Sequence, residues 1–203
     1  MHIEWLGQTC VKIQTKNADK DALVLINGYR PKAGNFPRSF TPQIALYSSG
    51  TANATTLSQN PFVIDTLGEF ELENIVIYSL PNEEKNNIFK LASEGMTVVH
   101  LGNLNKKLDN SELEKIMSPD ILLIPVGNKN YLPIKDAVES INLLEPRIII
   151  PIGYKCDTEQ EAEPLSKFIA EMGLKSENAG SKIIIKQKDL PQEETKLIVL
   201  DKS

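Results

Sequence analysis

The sequence of 203 residues holds two histidines, His2 and His100, and two cysteines, Cys10 and Cys156. A zinc site needs three or four thiolates, imidazoles or carboxylates converging on one point. The spacing of these four residues forms no motif for a metal or a disulfide framework. Ser48 and Ser49 could offer a nucleophile, but a serine attacks only with a base in hydrogen-bond reach. His100 lies in a run of strand character and reads as a half-buried strand histidine with a fixed hydrogen bond. His2 reads as an exposed strand-start residue, and the two cysteines read as small hydrophobes. Asn53 and Asn103 either satisfy backbone groups at strand ends or face a polar ligand.

These residues must be held by a chain that changes character half-way. Residues 3–6, 10–14, 22–26 and 44–47 read as short strands; in 10–14, Val11 and Ile13 alternate with Lys12 and Gln14, which marks one buried face. Residues 28–42 hold three prolines and two glycines and read as a loop. From Phe62 to Leu101 the pattern is again β, with Glu94–Gly95 as a hairpin signal. Beyond it, helices are expected over 110–117, capped by Asn110 or Ser111, over 134–144, and over 159–172 with Gly173 as its stop. Wholly apolar strands, 120–126 and 147–152, lie between them and call for burial on both faces. Strands at 182–186 and 196–200 close the chain. Meandering β followed by βαβα implies two sheet systems with helices outside.

Several segments, in order, resemble the metallo-β-lactamase superfamily, in its small bacterial and archaeal Zn-dependent-hydrolase-like (ascorbate-lactonase-like) branch. They are IEWLGQTCVKI at the start, LVLINGY at 23–29, QIALYSS at 43–49 and FVIDTLGEFELENIVI at 62–77. VVHLGNLN at 98–105, DILLIPVGN at 120–128 and EPRIIIPIGYK at 145–155 complete the set. The resemblance implies an α+β fold, a four-layer αββα sandwich of two mixed sheets with helices on the outer faces, as one domain over residues 1–203. It also implies metal-assisted hydrolysis, with bound zinc activating a water.

The family's ligand motifs are altered here. Where HxHxDH is expected the sequence has Ser49, Thr51, Asn53 and Ala54. The bridging aspartate of HLGDL is Asn103, the histidine of IPMHY is Gly153, followed by Tyr154, the histidine of WLGH is Gln8, and the aspartate of LIDP is Asn27. A further histidine expected near 79–84 is missing from the sequence. Neutral amides and hydroxyls do not hold a divalent transition ion. The expectation is therefore a vestigial site at Gln8, Ser49, Thr51, Asn53, Ala54, Asn103, Gly153 and Tyr154, with no metal cofactor and no catalytic residues. The leading expectation for function is a non-catalytic pseudo-hydrolase acting by binding or assembly; the alternative is a hydrolase with a relocated site.

Composition bounds the partners. With 22 basic and 27 acidic residues the net charge is −5, and a protein built to grip nucleic acid or an anionic membrane would need a basic face. No apolar run is long enough to span a bilayer. With few cysteines and no signal-peptide pattern, a cytoplasmic protein is expected. A homo-oligomer or a paralogous subunit is the expected partner.

Overall fold

The computed structural model describes residues 1–17, 20–37, 40–82, 86–127 and 129–203, and of Asn17 and Lys20 the backbone alone. Parts of the sequence readings on 28–42, 79–84 and 120–128 therefore fall outside the described residues.

The first five strands are β1 (His2–Trp5), β2 (Val11–Asn17), β3 (Lys20–Ile26), β4 (Ile44–Leu46) and β5 (Phe62–Ile64). In β1, half-buried His2 and Glu4 alternate with buried Ile3 and Trp5, so one face must meet a core. Strands β6 (Gly68–Leu72), β7 (Ile75–Leu80), β8 (Ile88–Ser93) and β9 (Met96–His100) form an antiparallel meander. Then come α1 (Asn110–Ile116), β10 (Ile121–Pro125), α2 (Ile134–Leu144), β11 (Ile148–Ile152) and α3 (Leu165–Met172). Strands β12 (Ser176–Asn178), β13 (Lys182–Ile184) and β14 (Lys196–Val199) end the described elements.

Two mixed sheets result. One runs β13-β1-β2-β3-β4-β5, the other β12-β14-β11-β10-β9-β8-β7-β6. This is the α+β sandwich that the resemblance implied. The inner faces meet in one large cluster in which Ile3, Val11, Val24 and Ile26 pack with Ile77, Val98, Leu123 and Ile150. Every residue of β10 and β11 is buried, because parallel neighbours flank them and helices cover their outer face. Parallel crossovers are right-handed, so α1, α2 and α3 lie on the same side of the eight-stranded sheet, each touching the next. Over the outside of the six-stranded sheet, among the described residues, a loop layer stands where the resemblance implied helices. Tyr29, Phe36, Phe40 and Leu57 cover Leu6, Cys10 and Leu25 there, with Phe36 edge-on to both Tyr29 and Phe40.

Three local readings are corrected. The cap of α1 is Asp109, one residue earlier than expected; its carboxylate accepts the Glu112 N–H while Glu112 accepts the Asp109 N–H, a full capping box. Helix α3 starts at Leu165, since Pro164 fixes an extended cap and residues 155–163 are tied down by paired backbone bonds between Cys156 and Glu159. Strand β12, formed against β14, carried no period-two signal.

Candidate functional site

The altered motif positions converge at one end of the sandwich, on the loops leaving β1, β3, β4, β9 and β11. A cavity of about 800 Å³ opens there, lined by Gln8, Asn53 and Asn103 together with Tyr29, Arg30 and Tyr131. That volume is within the range of small-molecule sites. The cleft is neither filled in nor closed.

Asn103, on the cleft wall, is tied into a network of amides and hydroxyls. The Thr9 hydroxyl donates to Asn103 Oδ1 at 2.5 Å, and Asn103 Nδ2 donates to Ser49 Oγ at 3.2 Å. Asn27 Nδ2 donates to Thr9 Oγ1 and Ser48 Oγ, both at 3.0 Å, while Asn27 Oδ1 accepts the Ser48 N–H. Buried Asn86 accepts the Asn103 N–H at 2.7 Å and donates to Leu101 O. Gly102 sits over it at φ 63°, where a Cβ would come within 2.5 Å of Asn86 Oδ1.

The remaining expected residues serve the frame. Thr51 is exposed and its carbonyl accepts the Ala54 N–H; Ala54 bridges to Tyr29. Gly153 is buried and donates to Gln8 O. Tyr154 is also buried: its hydroxyl donates to Leu200 O at 2.5 Å and its ring lies 4.2 Å from that of Trp5. It is a packing residue and not part of the cleft wall.

His100 lies on a strand with fixed hydrogen bonds, as expected, but is fully buried where half-burial was expected. Its Nδ1 accepts the Gly102 N–H, so the ring proton sits on Nε2 and is donated to Thr9 O at 3.0 Å. Burial lowers its pKa to about 4, and both nitrogens are engaged, so it is no base for Ser49. Among the described residues the Ser49 hydroxyl bonds two amides, Asn103 and Asn86, which cannot take its proton. Cys10 is buried and burial pushes its thiol up. Cys156 Sγ lies 3.3 Å from Thr158 Oγ1, and both cysteines are free.

Charge on the walls is partly neutralised. Glu161 pairs with Lys129, and Asp157 with Lys202 at 3.0 Å. Desolvation works against the Asp157 carboxylate, yet the Asn35 N–H and Lys202 hold it below its usual range. Arg30 has no ion-pair partner among the described residues. Burial, then Glu159, pushes the Tyr131 phenol up, so it stays protonated at neutral pH. Burial does the same to Tyr29, whose hydroxyl bonds Thr158 Oγ1 at 2.7 Å. Thr9, Asn86, Tyr131 and Thr158 escaped the sequence reading. The pair Asn86–Asn87 ahead of β8 was the available signal for one of them.

Residues 2–153 match the family described as a β-lactamase superfamily domain. The chain belongs to that superfamily. A UPF0173 metal-dependent hydrolase of Methanopyrus kandleri is 22% identical over 219 residues, covering 86% of this chain and 94% of the relative. A second protein of that name, from Archaeoglobus fulgidus, is 29% identical over 108 residues, covering 52% and 45%. A crystal structure from Thermotoga maritima, described as a proposed Zn-dependent hydrolase of the metallo-β-lactamase superfamily, superimposes with a TM-score of 0.82 at 25% identity, covering 98% of both chains.

These names correct the expectation that the protein has no cofactor. The relatives are called metal-dependent, so a metal, not its absence, is what kinship implies. The inherited positions are a separate matter. Among the described residues no three His, Cys, Asp or Glu side chains are grouped to hold an ion. Of the inherited positions the cleft wall holds Gln8, Asn53 and Asn103, whose neutral oxygens do not fit a zinc ion of the family's kind; its carboxylates, Asp157, Glu159 and Glu161, lie outside those positions.

Proposed function

We propose that this β-lactamase-superfamily protein is a pseudo-hydrolase that uses the inherited cleft to bind a small polar molecule. The observation that carries this reading is the open cavity of about 800 Å³ with Gln8, Asn53 and Asn103 on its wall. Amides donate and accept hydrogen bonds without charge, which suits hydroxyl, amide or carbonyl groups of a ligand. Arg30 adds a cationic donor on the wall, while the Tyr131 hydroxyl donates to Glu159 Oε2 at 3.4 Å. The proposed protein is one domain over residues 1–203 acting in the cytoplasm, where its two thiols stay reduced.

The names of the relatives favour a second reading, a metal-dependent hydrolase whose ion sits on residues other than the inherited ones. One preparation separates the two. Untagged protein, purified without chelator, is analysed for metal and assayed on lactone, thioester and phosphodiester substrates, with and without added Zn²⁺ or Mn²⁺. Native mass spectrometry of the same sample detects a retained organic molecule. The binding reading expects no metal-stimulated turnover and a mass excess that Asn53→Ala with Asn103→Ala abolishes. Turnover that rises with metal and disappears on chelation would establish the hydrolase instead.

A further inference from the structure

The two outer edges of the six-stranded sheet carry opposite charge around exposed apolar residues. At one edge is β5. Val63 is 46% exposed, and Phe62 and Leu67 are exposed beside it. Asp65 follows two residues after Val63, and Glu69, Glu71 and Glu73, on and just after β6, are the next acidic residues along the chain; all four are exposed, and the sequence has no lysine or arginine between residues 39 and 84. At the other edge is β13, where Ile184 is 55% exposed and lies between Lys182 and Lys186, both exposed. Lys188 follows, then Asp189. None of these residues lines the cleft.

The backbone of each edge is available for pairing. Phe62 N–H and Ile64 C=O bond towards β4, so in this alternating pattern the N–H and C=O of Val63 point away from the sheet. Met1 and Ile185 exchange both backbone bonds, so on β13 the free groups belong to Lys182 and Ile184. Directions also agree. Strand β1 is antiparallel to β13 and β2, β2 is antiparallel to β3, and β3, β4 and β5 are parallel. Hence β13 runs opposite to β5, and a second copy added side by side without inversion would pair antiparallel.

We propose that copies of this protein associate head to tail, β13 of one against β5 of the next, with Val63 opposite Ile184. That register places Phe62 opposite Ile185 and, two residues along, Asp65 opposite Lys182. Val63 and Ile184 both face outward from the sandwich, because their neighbours Ile64 and Ile185 face the core, so the two side chains share one face of the extended sheet. A two-fold pairing of the acidic edges would instead bring like charges together. Asp65 makes no ion pair among the described residues, and Lys182 keeps one long contact, 3.9 Å, to Glu4. Both strands are short and Pro61, opposite Lys186, has no N–H, so the association is weak and reversible. A head-to-tail contact of this kind yields a ring or an open fibre according to its rotation.

The test is sedimentation velocity of the full chain from about 10 μM to 1 mM in low salt, with circular dichroism as the folding control. The mass is expected to grow with concentration beyond 22.6 kDa and to fall as salt screens the pair. Asp65→Lys and Lys182→Glu should each weaken association about tenfold, the scale of one lost charge pair. Mixing the two variants, or combining both changes in one chain, restores opposite charges and should restore association. A monomer at every concentration, a closed dimer insensitive to both changes, or a mixture no tighter than the single variants would each refute the proposal.

Discussion

At the scale of single residues, the best-defined group is His100. Its ring is neutral because its Nδ1 already accepts a backbone N–H and the site is dry. An unfolded chain takes up that proton below about pH 6.5, whereas the folded chain resists until about pH 4. The unfolded state therefore binds more protons in this window, and stability falls as pH drops through it. The full contribution, present above pH 6.5, is about 3 kcal/mol. Urea midpoints at pH 7.5 and 4.5 should show this loss in the native protein, and His100→Gln should lack that part of the slope. Asn86 makes a second residue-scale prediction. Asn86→Ala strands the Asn103 N–H and the Leu101 carbonyl, so it should cost about 2 kcal/mol in denaturant unfolding, and weaken whatever the cleft binds.

At the scale of elements, the cleft depends on two buried parallel strands ending side by side. After β10 and β11 the chain passes Gly127 and Gly153 in contact: a Cβ on Gly127 would lie 1.9 Å from Gly153 O. That approach lets Glu163 N–H reach Gly127 O at 2.7 Å and so anchors the loop carrying Thr158. Gly127→Ala must push the two loops apart and should cost about 3 kcal/mol in thermal or urea unfolding. Helix α1 offers a smaller counterpart: Asp109→Ala removes half of its capping box and should cost about 1 kcal/mol, with the cleft unaffected.

At the scale of the whole molecule, the sandwich is joined by a broad apolar interior and a few polar ties between sheets. His100 bonds Thr9 O, and the Asn87 N–H bonds Ser48 O at 2.8 Å at the cleft end. At the other end Glu94, in the β8–β9 turn, accepts from Thr15 Oγ1 and the Lys16 N–H on β2. Glu94→Ala breaks these charge-assisted bonds and should lower unfolding free energy by about 2 kcal/mol without changing binding at the opposite end, measured by urea titration beside a binding assay. None of the helices described is long and apolar enough to cross a membrane.

The sequence by itself determined most of the strands and the positions of α1 and α2, because periods of two and 3.6 and wholly apolar runs follow from backbone geometry and burial; β12 and the start of α3 carried no such signal. The motif text determined the superfamily, and the residue types determined which inherited positions lack imidazole and carboxylate. Other features were decided in three dimensions. Asn103 is bonded to Thr9, ninety-four positions away, and Asn86 lies under Gly102, because two strand ends from different sheets meet there; no local pattern encodes such a meeting. Tyr154 adjoins a motif position and yet belongs to the core, since its hydroxyl finds Leu200 only after β14 has docked. The open cleft is likewise a property of where loops stop packing, and spacing along a chain carries no measure of that empty volume.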